Sequence, residues 1–252
     1  MKNDLVSIVF PVYNNSAFLE DAICSVVNQT FSNWELLIID DCSSDNSVDI
    51  CLKLAESNER IRVFLNENNM GAGYSRNVGL KNARGRFIAF MDSDDLWSDS
   101  KLQVQFDFMK SDKLAISYTS YDFIDECGVR LKGIVSVSGS VDLVGYLKTT
   151  EIGTSTSMID RYQVKFVFSL ARTRQDTMFW ISALSDGLRA YAIPDVLCHY
   201  RSRPGQISAN KLKMLYRTFV VYMGVHNLPV RVRFYCYLHY IFNAIKKRIV
   251  VR

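Results

Sequence analysis

The strongest chemical signal in the sequence is an acidic cluster in which Asp92, Ser93, Asp94 and Asp95 follow one another directly. Asp92 and Asp94 are two residues apart, so in an extended chain both carboxylates point to the same side. Two carboxylates this close repel each other unless a cation lies between them or one of them takes up a proton. The spacing is therefore typical of a Mg²⁺ or Mn²⁺ site made of oxygen ligands, and also of an ordinary solvated turn after a strand.

The acidic cluster is one of three polar segments that each follow a short apolar run. The runs and the segments that follow them are 7–10 with 11–14, 34–39 with Asp40-Asp41, and 87–91 with 92–95. Apolar runs of this length predict buried strands. In an open parallel sheet the carboxyl ends of the strands meet at one edge, where ligands bind. We therefore expect the three polar segments to converge on one site.

Helical patterns separate these predicted strands. Leu19, Ala22, Ile23, Val26 and Val27 share one helix face. A second helix is predicted to be capped by Ser43 or Ser44, and its expected core face consists of Val48, Cys51, Leu52 and Ala55. A third strand at 61–65 and a third helix at 72–83 complete the alternation. This order predicts an α/β fold with a mostly parallel, Rossmann-like sheet and helices on both faces.

Beyond residue 112 the pattern becomes mixed. Segments 114–124 and 131–137 predict a hairpin around Gly128, and residues 154–159 predict a further strand. The remaining predicted elements are a helix at 176–184 and two strands, 190–193 and 196–200, interrupted at Pro194.

Composition and charge exclude several classes of protein. Of 252 residues, 48% are hydrophobic and 22% charged, which excludes collagen-like, low-complexity and wholly disordered chains. Residues 196–252 hold eleven Lys or Arg and no Asp or Glu, whereas residues 1–195 hold 19 basic and 26 acidic residues. This asymmetry does not fit a nucleic-acid binder, which is more uniformly basic. The scattered cysteines and the polar N-terminus predict reduced thiols in a cytoplasmic protein.

The basic C-terminal region carries two predicted amphipathic helices, one from about 212 to 223 and one from 234 to 249, with Pro229 between them. No run reaches the roughly 18 uncharged apolar residues of a membrane span. Basic residues interleaved with aromatic ones predict a helix lying on an anionic membrane surface. The alternative is that these helices pack on the catalytic body and leave their charges in solvent.

Four segments together resemble the family 2 glycosyltransferases of the GT-A fold. The segments are Val6–Asn14, Leu37–Asp45, Asn69–Gly79 and Phe90–Asp95. The resemblance implies a GT-A domain over 1–210, with a nucleotide-sugar-binding half at 1–110 and an acceptor-binding half at 111–210, followed by a helical tail at 211–252. It implies an inverting enzyme that transfers a sugar from a nucleotide diphosphate, usually UDP, to a hydroxyl group.

The resemblance also assigns roles to residues on the donor side. Pro11 and Tyr13 would flank the uracil, and Asp41 would accept a hydrogen bond from the base. Asp40 belongs to the same predicted nucleotide-binding set, where its expected part is to order the loop. Asp94 would bind the metal, and Asp92 would bind the metal as well, or reach the ribose or a metal-bound water. Ser93, between them, is included in the predicted nucleotide-binding set. Arg76 would lie near the nucleotide, although an ion pair with Asp40 or Asp92 that only holds the loop explains it equally well.

On the acceptor side, the resemblance makes Asp176 the general base that deprotonates the attacking hydroxyl. From the residues alone, Asp176 is also interpreted as a helix N-cap or first-turn acid. Gln175 stands where many members have Glu, which puts an auxiliary role for that position in doubt. Arg201 and Arg203 would pair with phosphate oxygens, or else belong to a solvated basic loop.

Together, the residues and the resemblance predict that the protein is a metal-dependent hexosyltransferase. We expect it to use a UDP-sugar donor and a polyprenyl-diphosphate-linked sugar acceptor in bacterial O-antigen or surface polysaccharide synthesis, at the inner face of the cytoplasmic membrane. A nucleotidyltransferase would need a Gly-rich loop after the first strand, which residues 11–14 do not form. A non-catalytic nucleotide-sugar-binding module is a third hypothesis, and loss of Asp176 would distinguish it from an enzyme.

Overall fold

The computed structural model describes residues 4–165, 167–203 and 211–250. It contains ten strands: β1 Val6–Val12, β2 Trp34–Asp40, β3 Ile61–Leu65, β4 Phe87–Phe90, β5 Leu96–Trp97, β6 Ile116–Ile124, β7 Arg130–Val135, β8 Ser140–Val141, β9 Met158–Asp160 and β10 Ala190–Arg201. It contains eight α-helices: α1 Ser16–Val27, α2 Ser47–Glu56, α3 Ala72–Asn82, α4 Lys101–Ser111, α5 Leu143–Thr149, α6 Gln175–Ser185, α7 Lys211–Met223 and α8 Val230–Val250.

All ten strands form one sheet in the order β3-β2-β1-β4-β9-β6-β10-β5, with β7 added to β6 and β8 to β10. Strands β3, β2, β1 and β4 are parallel to one another, as predicted. Strand β9 is antiparallel to both of its neighbours, β4 and β6, and β10 returns parallel to β6. The predicted α/β fold is therefore confirmed, with a parallel first half and a mixed second half.

The sheet buries side chains on both faces, because successive strand residues point in opposite directions. In β1, Val9 lies in one hydrophobic core, and Ile8 and Phe10 lie in the other. Helix α1 packs Leu19 and Ile23 into the second core, as its sequence pattern predicts.

Two local predictions for α2 are wrong. The helix begins at Ser47, so neither Ser43 nor Ser44 caps it, and instead an oxygen of Asp45 accepts the Ser47 backbone N–H at 3.0 Å. Leu52, expected in the core face, is 42% exposed. Both serines precede the N-cap, Asn46, and Ser43 instead accepts the Asn14 N–H of the loop after β1 and donates its own N–H to Asp40.

In the second half, the predicted hairpin is confirmed as β6 and β7, and the two segments around Pro194 form the single irregular strand β10. The strand predicted over 154–159 is largely wrong. Residues Thr154–Thr156 form a turn of 3₁₀ helix, and strand β9 covers only Met158–Asp160. Local hydrogen bonds favour the turn, since the Thr156 and Ser157 amides donate to the carbonyls of Gly153 and Thr154.

The C-terminal helices share a core with the rest of the protein. Tyr222, Cys236 and Tyr240 are buried in the same cluster as Phe179 and Trp180 of α6. This face of the tail packs on the body, so the predicted boundary at residue 210 does not separate two cores. Among the described residues, no helix is both long and apolar enough to cross a bilayer.

Candidate active site

A cavity of about 930 Å³ opens at the edge of the sheet where β1, β2 and β4 end. Its lining includes most of the residues singled out from the sequence: Pro11, Tyr13, Asp41, Arg76, Asp92, Ser93, Asp94, Asp176, Arg201 and Arg203. Asp40 is the exception. The three polar segments therefore converge, as the parallel topology predicts, and Asp176 joins them from a distant part of the chain.

Asp92, Asp94 and Asp95 form the acidic rim of this cavity. Arg76 Nη2 lies 2.5 Å from an Asp92 oxygen, and Arg203 Nη2 lies 3.1 Å from an Asp94 oxygen. Burial, and then the neighbouring Asp92 carboxylate, raise the pKa of Asp94 above its usual value. Repulsion of this kind is relieved when a divalent cation binds between the carboxylates.

Asp95 has a different environment from the other two acids. It is buried, one oxygen accepts the Ser155 hydroxyl at 2.5 Å, and the other accepts the Arg201 backbone N–H at 3.2 Å. Burial, followed by the nearby Asp94 and Asp92, raises its pKa well above the usual range. Asp95 therefore connects the acidic rim by hydrogen bonds to the 3₁₀ turn and to the end of β10.

The residues at the rim fit a magnesium or manganese ion. Asp92 and Asp94 supply hard oxygen ligands, which these ions prefer. Within the described residues, no group of three or more His, Cys, Asp or Glu side chains is arranged to hold a metal. The protein would therefore contribute one or two carboxylates and leave coordination positions for phosphate oxygens and water.

The loop after β2 is held by its two aspartates. Asp41 accepts the backbone N–H groups of Gly71 at 2.6 Å and Met70 at 2.9 Å, together with the amide of Asn66 at 2.8 Å. Asp40 is buried and accepts the Ser43 N–H at 2.8 Å. Because Asp40 does not line the cavity, its predicted place in the nucleotide-binding set is corrected to ordering of the loop.

The loop after β1 brings Tyr13 to the cavity with half of its surface exposed. Asn14 adopts a positive φ of 46°, and its side-chain oxygen accepts the Ser44 N–H at 2.7 Å. Asn15 donates to the Ser93 hydroxyl at 2.8 Å. These bonds join the loops after β1, β2 and β4 into one framework, with the Tyr13 ring free to meet a flat ligand.

Arg76 is buried and lies against the Phe168 ring, and its ion pair is the predicted one with Asp92. Arg201 is fully buried, so the prediction of a solvated loop is wrong for this residue. Its Nε donates to the Asp94 carbonyl at 2.9 Å, and its Nη1 donates to the carbonyls of Asp125 and Glu126. This geometry supports Arg201 as a brace for the rim and does not support the predicted phosphate clamp.

Arg203 differs from Arg201 because about a third of its side chain remains exposed at the cavity. It bridges Asp94 and Asn15, and it is therefore placed where a phosphate could replace one of these partners. The rest of the segment that suggested phosphate binding, residues 204–208, lies outside the described residues.

Asp176 lies in the first turn of α6, and the N-cap of that helix is Arg174, with φ 60° and ψ 18°. The interpretation of Asp176 as the N-cap is therefore wrong, and the first-turn position is confirmed. Phe179 and Trp180 on the same helix are completely buried. The core thus fixes the helix while Asp176 lines the cavity.

Several cavity residues had no predicted role. They are Asn69, Tyr121, Phe123, Arg172, Arg174, Tyr200 and Met214. Arg172 Nη2 donates to the Asn69 carbonyl at 2.9 Å, and Arg174 Nη2 donates to the Tyr240 hydroxyl of α8 at 2.8 Å. Asn69 carried a signal because it begins one of the four segments of the family resemblance. Tyr121 and Phe123 carried another, since residues two apart in a predicted strand point to the same side.

The sequence and the structure are similar to known proteins over nearly the whole chain. The family model described as Glycosyl transferase family 2 matches residues 7–163. A Bacillus subtilis glycosyltransferase named for teichuronic acid biosynthesis is 39% identical over 97% of this chain and 98% of its own length. An Escherichia coli protein named UDP-Glc:alpha-D-GlcNAc-diphosphoundecaprenol beta-1,3-glucosyltransferase is 36% identical over 98% of this chain and 96% of its own length.

Two solved structures share the fold at low sequence identity. Staphylococcus aureus TarS 1–349 with UDP-GlcNAc gives a TM-score of 0.75 at 20% identity, covering 98% of this chain and 73% of that one. A Pyrobaculum calidifontis mannosyltransferase with GDP-Man and Mn²⁺ gives a TM-score of 0.71 at 13% identity, covering 100% of this chain and 72% of that one.

Proposed function

The chain belongs to glycosyl transferase family 2, and on that premise we propose that it is an inverting, metal-dependent hexosyltransferase that uses a UDP-sugar and a lipid-linked glycan acceptor. The expected GT-A architecture is confirmed by the similarity to solved glycosyltransferases. The observation that carries the proposal is that Asp92, Asp94 and Asp176 line one cavity.

The donor side of the proposal is supported by the acidic rim and the loops beside it. Asp94, with Asp92, would hold the divalent ion, which supplies electrostatic stabilisation of the negative charge on the departing nucleotide diphosphate. Tyr13 would pack against the base, and the exposed Arg203 would pair with a phosphate oxygen. Asp41 has its oxygens occupied by backbone amides, so its main contribution would be the shape of the base pocket.

Asp176 would act on the acceptor. A sugar hydroxyl that attacks the anomeric carbon must lose its proton, and a carboxylate within hydrogen-bond reach is a suitable general base. A single direct displacement inverts the configuration at that carbon. Neither a covalent intermediate nor a second nucleophile is then required of the protein.

The substrates are proposed from the relatives. Two Escherichia coli relatives, 34% and 36% identical over nearly full length, are named as transferring glucose from UDP-Glc to GlcNAc-diphosphoundecaprenol. We therefore assign this chain a hexose donated by UDP and an N-acetylhexosamine carried on a polyprenyl diphosphate, in the assembly of a bacterial surface polysaccharide.

The proposed acceptor is a lipid, and the tail offers a surface for reaching it at the inner face of the cytoplasmic membrane. Phe234, Leu238 and Phe242 recur every four residues along α8 and are about half exposed or more, and the segment from 196 onward has no acidic residue. Arg233 is excluded from membrane contact because it donates to the carbonyls of Met223 and Leu228. We propose peripheral attachment through the exposed face of α8.

Activity is tested by offering several UDP-sugars, with and without Mn²⁺ or Mg²⁺, to synthetic GlcNAc- and GalNAc-diphosphate lipids. We expect a product with inverted anomeric configuration, release of UDP, and loss of activity on chelation. Release of pyrophosphate would indicate a nucleotidyltransferase. UDP binding without transfer from any donor would indicate a non-catalytic binding module.

Membrane attachment is tested with point variants, because deleting the tail would expose the shared core. Phe234→Ser with Phe242→Ser should reduce co-sedimentation with anionic liposomes. Ile134→Ser, at an exposed position on β7, is the matched control. Equal sedimentation of the two proteins would contradict the proposed attachment.

A further inference from the structure

The cavity has an aromatic wall that the nucleotide and the general base do not use. It consists of Tyr121 and Phe123 on β6 and Tyr200 on β10. The centroid of the Tyr121 ring lies 5.6 Å from that of Phe123 and 4.7 Å from that of Tyr200, and both pairs pack edge to face. Tyr121 and Phe123 are half-buried, whereas Asp122 between them is buried on the opposite face of β6, against His199.

The sheet order separates this wall from the nucleotide loops. Those loops follow β1, β2 and β4, whereas β6 and β10 lie beyond the antiparallel strand β9. Arg201 joins the wall to the acidic rim, because it donates to the Asp94 carbonyl and to the Asp125 carbonyl just after β6. The aromatic wall therefore lies next to the acidic rim, on the side away from the loops after β1 and β2.

The chemistry of the wall suits a pyranose ring. The C–H faces of a sugar pack against aromatic rings, which offer a large and rigid apolar surface with a polar tip on tyrosine. The Tyr121 hydroxyl has no hydrogen-bond partner among the described residues, and burial raises its pKa to about 12, so it stays protonated. It can therefore donate a hydrogen bond to a sugar oxygen.

We propose that Tyr121 and Phe123 form the platform on which the sugar ring of the acceptor packs. The inference rests on the proposed transferase function and adds a binding site to it. The platform orients the acceptor sugar and takes no part in proton transfer. Loss of the ring at 123 should therefore weaken acceptor binding and leave the donor site unchanged.

The test compares Phe123→Ala, Phe123→Leu and Phe123→Tyr. Alanine and leucine both remove the ring, and leucine keeps most of the apolar volume. Tyrosine keeps the ring. We expect Ala and Leu to raise the acceptor KM about tenfold, a magnitude typical of losing one aromatic packing interaction. UDP affinity and slow hydrolysis of the donor should not change, and Phe123→Tyr should behave like the unaltered enzyme.

Two controls decide the interpretation. Tyr162→Ala removes an exposed ring outside the cavity and should leave the acceptor KM unchanged. Tyr121→Phe should raise the acceptor KM severalfold through loss of the hydroxyl.

An unchanged acceptor KM in Phe123→Leu, in an enzyme that binds UDP and transfers sugar, would overturn the proposed platform alone. If the unaltered enzyme neither bound UDP nor transferred sugar, the proposed function would fail with it.

Discussion

The two sides of the cavity hold their acids in opposite ways. On the nucleotide side, every carboxylate of the rim is engaged: Asp92 with Arg76, Asp94 with Arg203, and Asp95 with Ser155. On the acceptor side, Asp176 accepts no side-chain hydrogen bond from the described residues. Such partners fix the orientation of a carboxylate, whereas an acid without them keeps its oxygens available to a substrate hydroxyl. Fixed carboxylates suit the binding of a cation, and an unengaged one suits the removal of a proton.

The two sides also differ in what supports them. The nucleotide loops are bound to one another, for example through Asn15 and Ser93. The acceptor side depends on the C-terminal helices, because Met214 of α7 lines the cavity and Tyr240 of α8 binds Arg174, two residues before Asp176. The tail therefore contributes to the site, in agreement with the predicted alternative that its helices pack on the catalytic body.

The largest effect is expected from Asp176→Asn, which keeps the shape and removes the base. Transfer should fall about 10²- to 10⁴-fold, the usual contribution of a general base, while UDP affinity measured by calorimetry stays the same. Asp186→Asn at the other end of α6 is the control. A variant that retained its rate would show that the acceptor side does not contain the base.

Asp94→Asn should impair the nucleotide side, and therefore both the affinity for UDP and the rate of sugar transfer. We expect metal-dependent UDP affinity and transfer to fall together, by about 10²- to 10³-fold, because a charge-stabilising contact is lost in the ground state and the transition state. Asp99→Asn, on the exposed turn that follows, is the control. If Mn²⁺ still strengthened UDP binding to Asp94→Asn, the assignment of the rim would be wrong.

Tyr240→Phe tests whether the tail supports the acceptor side. The change removes one hydroxyl that accepts a hydrogen bond from Arg174, and a bond of this kind contributes about 0.5–3 kcal/mol. We expect a three- to tenfold lower turnover with the KM of the donor unchanged. Tyr235→Phe, at an exposed position on the same helix, should have no effect. An equal loss in both variants would remove the link between the tail and Asp176.

The smallest effect on activity is expected from Lys101→Met, at the start of α4 and outside the cavity lining. The ammonium group is completely buried, 3.7 Å from the centre of the Trp97 ring, and burial lowers the pKa of Lys101 to about 7. In the unfolded chain the pKa of lysine is about 10.4, so between pH 7 and 10 the unfolded state binds more protons and stability rises with pH.

Methionine removes this dependence. We therefore expect Lys101→Met to raise the free energy of unfolding by about 1–3 kcal/mol at pH 7, with a smaller gain at pH 9, because the cost of burying the charge disappears. Urea unfolding at the two pH values measures the difference. Activity should remain within about twofold. A loss of stability at pH 7 would show that the contact with Trp97 outweighs the burial of the charge.

Much of the nucleotide side was predictable because its residues follow strand ends in the sequence. Once β1, β2 and β4 are parallel, Tyr13, Asp41 and Asp92 must share an edge. Errors arose where short polar residues had several possible partners. Ser43 and Ser44 bind Asn14 of the loop after β1 and do not cap α2, and Thr154–Thr156 form a 3₁₀ turn and do not extend β9.

The sequence by itself determined the alternation of strands and helices, the acidic rim and the position of Asp176 in the first turn of a helix. These features depend on neighbours within one element and on a general rule for parallel sheets. Only the tertiary structure decided that Arg201 is a buried brace, that Tyr121 and Phe123 face the cavity, and that Tyr240 reaches Arg174 across 66 residues. Contacts of that kind arise when β9 inserts antiparallel into the sheet and the C-terminal helices pack against α5 and bond to the N-cap of α6, and no local pattern of residues specifies either event.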